Sequence, residues 1–230
     1  MAEHAYMESW QTDPDWKVAD TIEEQLKRPE GEGQETWNEM KSEVDHMIET
    51  GSVELAYRYD SEVQEVLRKA PPVDTKWVIV RKLKKCAETS KMMYDRMRSR
   101  LTLRGFKQRE GSQYDKYGTF APVMHLGSLV MILILAVLFK LHVRMADDSK
   151  AFTEGFMDYK LYTTLPKPFN KMKEYTTGRY NYGKDALWLL ISAIYGVKQA
   201  ARQYYKSVLT HATGHMKMLQ SQRDPCVLIK

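Results

Sequence analysis

A chain of 230 residues that is 43% apolar can bury one substantial core, which excludes an intrinsically disordered chain. The net charge of +5 is unevenly laid out: residues 1–36 carry ten acids against three bases, and residues 37–230 carry thirty-two bases against twenty acids. A field of that sign favours phosphate-rich partners or acidic protein surfaces. The only cysteines, Cys86 and Cys226, stand too far apart for a disulfide framework or a zinc motif and read as buried thiols.

Pro14, Pro29, Gly31 and Gly33 among the acids of residues 1–36 predict an acidic extension that contacts protein, with Trp10 and Trp16 as anchors. Residues 37–230 form the main domain. Trp37, Met40, Val44, Met47 and Ile48 recur every three or four positions, one face of a helix that Gly51 ends. After Pro71 and Pro72, the run Lys76–Val80 predicts a strand. The basic segment Arg96–Arg109 predicts its hairpin partner, with Leu101 and Leu103 on one face, Arg100, Thr102 and Arg104 on the other, and Gly105 at its end.

Leu126–Phe139 is an uncharged, mostly apolar run of 14 residues. It falls short of the ~20 a membrane-spanning helix needs, so it predicts a core helix and no membrane insertion. A strand is expected at Leu141–Met145 and a helical segment at Ala151–Met157. Gly183–Trp188 reads as a turn or hairpin, and Leu189–His211 as a long helix interrupted near Gly196. Helices alternating with short strands give an α+β fold. No signal peptide or ordinary presequence is recognisable, which points to an intracellular protein of unspecified compartment.

Several islands in one order carry a resemblance. They are Trp37 with Gly51-Ser52-Val53-Glu54-Leu55, then Lys76-Trp77-Val78 and Arg98–Gln108, then Gly111-Ser112-Gln113-Tyr114. Thr119-Phe120-Ala121-Pro122-Val123 follows, then Asp147 with Ala151-Phe152 and Glu154-Gly155, Tyr195–Arg202, and Asp224-Pro225-Cys226. From about residue 37 to 230 the chain resembles the reverse transcriptase of copia-type (Ty1/copia) retrotransposons, amino-terminal portion only. The resemblance implies a partial right-hand polymerase fold, fingers and incomplete palm, with an amino-terminal extension. In the family, magnesium ions serve the reaction and a tyrosine-hydrophobic-aspartate-aspartate hairpin completes the metal site; that hairpin lies beyond the position of Lys230.

Two-metal phosphoryl transfer needs several carboxylates around both ions. Asp147 matches the first metal position, but Asp148 beside it would point to the opposite face of a strand. A carboxylate there needs solvent or a partner. Asp147 is therefore expected to be vestigial, a metal ligand only if the rest of a site is supplied elsewhere. Phe152 matches the position of the aromatic residue that crowds the sugar 2′ position in related polymerases, a vestigial sugar gate, and without a complete site it reads as a core aromatic. The candidate nucleic-acid contacts are Arg81, Lys82, Lys84, Lys85, Arg96, Arg98, Arg100, Arg104, Lys107 and Arg109. Eleven bases face two acids between Arg81 and Arg109, which suits backbone tracking more than base reading. Lys198, Gln199 and Arg202 join them as a polar turn, which also suits a packing scaffold.

The expectation is thus a catalytically incomplete, transposon-derived reverse transcriptase-like protein, a pseudoenzyme acting as an RNA-binding or structural subunit of a larger protein complex, with no cofactor. One alternative is a fragment of an active RNA-directed DNA polymerase completed by downstream sequence and using Mg2+. The other is a purely protein-binding scaffold subunit.

Overall fold

The structure, a computed structural model, describes residues 10–29, 31–86, 89, 91–148, 150–172 and 185–230. Its elements are β1 (Trp10–Thr12), α1 (Ile22–Leu26), α2 (Glu32–Glu49), β2 (Val53–Tyr57), α3 (Ser61–Lys69), β3 (Thr75–Lys85) and β4 (Met92–Leu103). There follow α4 (Leu126–Leu138), β5 (Phe156–Thr164), β6 (Ala186–Ser192), α5 (Ala200–Thr210) and a small hairpin of β7 (Leu219–Gln220) and β8 (Leu228–Ile229). The chain is a mixed α+β domain.

Helix α2 follows from its apolar spacing: Met40, Val44 and Met47 are completely or almost completely buried. Glu32 and Glu35 complement the dipole of its first turn. Gly51, at φ +66°, carries the chain out of it. The helix begins five residues before Trp37, so one element runs through position 36.

Two antiparallel sheets contribute side chains to this core. One has the order β1-β3-β4, the other β2-β6-β5. Strands β3 and β4 pair from Thr75↔Leu103 to Lys85↔Met92, with an irregularity at Lys82/Leu83. Along β4 the alternation expected of a half-buried strand holds: Met97, Ser99, Leu101 and Leu103 are buried, and Arg98, Arg100, Thr102 and Arg104 face outward. Trp37 stacks on Phe169 at 5.1 Å, and Trp77 donates from Nε1 to the carbonyl of Lys167 at 2.7 Å.

The acidic segment folds back on this sheet. Residues Trp10–Thr12 pair with Lys82–Lys84 as an edge strand. Half-buried Trp16 packs against the core cluster and donates to Glu32 at 3.2 Å.

Five local expectations need correction. Leu189–Ser192 belongs to β6, and the following helix starts only at Ala200. The cause is burial on both sides. Ala186, Trp188 and Leu190 enter the main core, while Leu187 and Leu189 pack towards Val63. A strand buried on both faces loses its alternation and reads like a helix. Ala186–Trp188 are strand as well, paired with β2 and β5, where a turn or hairpin was expected; residues 183 and 184 lie outside the described residues. Ala151–Glu154 is a short 3-10 turn leading into β5, so the helix expected at Ala151–Met157 does not form.

The fourth concerns the apolar run. Helix α4 forms where expected but is not a core helix: only Ala136 is buried, and Leu129 through Leu135 are each 40–57% exposed. The strand expected at Leu141–Met145 is absent, and these residues are exposed without regular structure. The run is apolar all round and not on one face, so its composition forms a helix without supplying the surface that covers it. Among the described residues, no helix is long and apolar enough to cross a membrane.

Candidate nucleic-acid interface

The outward face of β4 presents Arg96, Arg98 and Arg100 at two-residue intervals, as strand geometry requires. They open on a cavity of about 290 Å³ that Lys150, Tyr195, Ser99 and the α2 side chains Glu39, Ser42 and Glu43 complete. Four cations thus face two carboxylates. Lys150 pairs with Glu43 at 3.6 Å and is held in the left-handed region at φ +64°. The Oγ of Ser99 and the Nε of Arg100 are buried without a hydrogen-bond partner, leaving donor capacity unused at the site.

Tyr195 organises this face. The Arg100 guanidinium lies 4.7 Å above its ring centre, and Phe152 meets it edge-on at 5.2 Å. Phe152 and Arg100, 52 positions apart in the sequence, are joined through one ring. Tyr195, Lys150 and the α2 carboxylates were not singled out by the sequence. Only the Tyr195–Arg202 island hinted at Tyr195.

The other basic candidates divide by their partners. Arg81 sits between Asp13 at 3.5 Å and Glu32 at 3.6 Å, above the ring of Tyr94. Burial and a hydrogen bond to Glu35 raise the Tyr94 phenol well above its ordinary range. Lys82 donates to the hydroxyl of Thr12 at 3.2 Å, and Lys84 pairs through its backbone with Trp10. Lys85 is exposed at the end of β3. Arg104 and Lys107 converge on Asp74 at 3.1 and 2.8 Å. Burial pushes the Asp74 carboxyl up. The Lys107 hydrogen bond, its own backbone and the two positive charges outweigh burial, and hold it below the usual carboxylate range. Arg98 and exposed Arg109 have no acidic partner among the described residues.

Gln199 is 1% exposed and faces the core, away from solvent. Its Nε2 donates to the carbonyl of Gln113 at 3.0 Å, and its Oε1 accepts from Gln108 Nε2 at 3.1 Å. Lys198 donates from Nζ to the hydroxyl of Tyr114 at 2.9 Å. The Arg202 guanidinium lies 5.7 Å over Tyr205.

Asp147 and Asp148 are exposed on residues 141–148, which have no regular structure. Asp148 accepts from the hydroxyl of Tyr204 at 3.0 Å. Burial raises the Tyr204 phenol, reinforced by that hydrogen bond and by the charges of Asp148, Asp147 and Glu154. Among the described residues no group of three His, Cys, Asp or Glu side chains is placed to hold a metal ion. Asp147 on an exposed stretch, with Asp148 turned to Tyr204, does not fit a two-metal site.

A family model described as reverse transcriptase (RNA-dependent DNA polymerase) matches residues 61–225. The chain is 28% identical, over 216 residues, to the retrovirus-related Pol polyprotein from transposon TNT 1-94 of Nicotiana tabacum; the match covers 94% of this chain and 14% of that protein. It is 29% identical to the retrovirus-related Pol polyprotein from transposon RE2 of Arabidopsis thaliana over 60% of this chain and 8% of that one. The corresponding polyprotein from transposon RE1 is 30% identical over 58% of this chain and 8% of its own length. No solved structure matches. The chain therefore spans a small part of the copia-type polyproteins to which it is related. By a match across most of its own length, the chain belongs to the reverse transcriptase (RNA-dependent DNA polymerase) family.

Proposed function

We propose that this chain is a catalytically incomplete, transposon-derived reverse transcriptase-like domain that binds RNA through its Arg96–Arg98–Arg100 face within a larger assembly. The observation that carries the reading is the contrast between two sites. The basic cavity is built from four segments with unused donors, while Asp147 stands on an exposed stretch without converging carboxylates among the described residues. A row of arginines at strand spacing suits a phosphate backbone, and Tyr195 supplies a ring beside them.

Salt-dependent binding of single-stranded RNA tests it. Replacing Arg98 and Arg100 by glutamine should weaken affinity uniformly across sequences and lower the salt slope by roughly one per lost phosphate contact. Unchanged binding in the double variant removes the assignment. Magnesium-dependent primer extension by the 230-residue chain, abolished by Asp147→Asn, would overturn the incompleteness.

One observation favours a second reading, in which the domain forms part of an active RNA-directed DNA polymerase: the matched relatives are far longer polyproteins. Primer extension that appears only when further polyprotein sequence is joined to the chain would select it.

A further inference from the structure

At the end of α5 the helix widens into a single π turn, His211–His215. Isolated π turns recur at functional sites, because the wider ring shifts side chains out of ordinary helical register. The turn here carries an exposed histidine at each end, four positions apart and on the same side. Their ring centres lie 5.2 Å apart with the planes inclined by 30°.

That separation matches the demand of metal chelation. A zinc ion about 2.0 Å from one nitrogen of each ring lies about 3.2 Å from each ring centre, and a tetrahedral angle then places the centres about 5 Å apart. The rings border a cavity of about 330 Å³ lined also by Phe156, Gln203, Lys206, Ser207 and Thr210. Gln203 is 5% exposed, and its Nε2 has no hydrogen-bond partner. A buried donor without a partner is costly, and an acceptor in the cavity would satisfy it.

We propose that His211 and His215 form a two-histidine clip for a divalent transition-metal ion of borderline softness, Zn2+ in the first instance. Gln203 donates its free N–H to a water or anionic group on that ion. Imidazole nitrogens select zinc, copper or nickel over hard ions such as Mg2+, which prefer oxygen ligands. Among the described residues the pair has no third His, Cys, Asp or Glu ligand. The clip thus leaves coordination positions open for water or for an oxygen ligand from a partner. Gln203 is a positioning residue of the kind that commonly changes metal affinity 10–100-fold when removed.

Zn2+ titration of the full chain by calorimetry tests the site, with circular dichroism to check folding. One equivalent of Zn2+ should bind, with affinity falling at least about tenfold in His211→Ala and in His215→Ala, and about tenfold in Gln203→Leu. Excess Mg2+ should not compete, and Cys86→Ser with Cys226→Ser should keep the uptake. Both histidines are exposed, so their variants test binding without disturbing the core. No uptake, uptake untouched by either histidine variant, or uptake lost only with the cysteines would each overturn the clip.

Discussion

Gln108 and Gln199, ninety-one positions apart, share a hydrogen bond of 3.1 Å inside the core. Around it, the backbone N–H of Lys198 donates to Gln108 Oε1, and Gln113 accepts from Arg109 and donates to the carbonyl of Pro71. This network ties the loop after β4 to the turn before α5, where Gly105 and Gly196 come into backbone contact. A Cβ on Gly105 would run into the carbonyl of Gly196, and one on Gly196 into the carbonyl of Leu103.

Gln199→Leu should therefore act through folding. It removes the hydrogen bonds of Gln199 to the Gln108 amide and the Gln113 carbonyl and leaves those two groups only their longer mutual bond of 3.5 Å, a loss of roughly 0.5–1.5 kcal/mol per bond. A lowered urea midpoint, with the salt slope of RNA binding unchanged, is the expected result.

The arginines should not contribute equally to RNA binding. Arg81 is held by Asp13 and Glu32, so its charge is already compensated. Arg81→Gln should change affinity less than Arg98→Gln, a difference read by fluorescence anisotropy at fixed salt. Equal losses would mean that the acidic segment leaves β3 when RNA binds.

Asp74 gives stability in a defined pH window. Its carboxyl is held below the usual range in the folded chain, so its contribution is present above the unfolded pKa of about 3.9 and disappears as pH falls through the folded value. The gap in urea midpoint between the native chain and Asp74→Asn should hold near neutrality and close in acid. A gap that widened in acid would contradict the Lys107 and Arg104 pairing.

Two leucines should differ in cost. Leu101 is 1% exposed and Leu133 is 44% exposed. Leu101→Ala should cost about 2–5 kcal/mol through lost transfer energy and a cavity, and Leu133→Ala well under that range. Comparable losses by chemical denaturation would mean that α4 is covered in solution.

Much was legible from the residues alone. The period of Met40, Val44 and Met47 located α2, and the alternation of β4 separated Leu101 and Leu103 from Arg100 and Arg104, because each side chain's face follows from local backbone geometry. The ordered islands pointed to the family that the comparison then showed. Position within the molecule was another matter. Gln199 and Arg202 share one polar stretch, yet the first is buried and the second lies over Tyr205. Leu189 and Leu133 both lie in apolar runs, yet one is in a doubly covered strand and the other on an exposed helix. Local pattern determines what a segment becomes and which way its side chains point. Which surfaces meet, and so whether Arg81 or Arg98 keeps an uncompensated charge, depends on contacts between distant segments that only the tertiary structure decides.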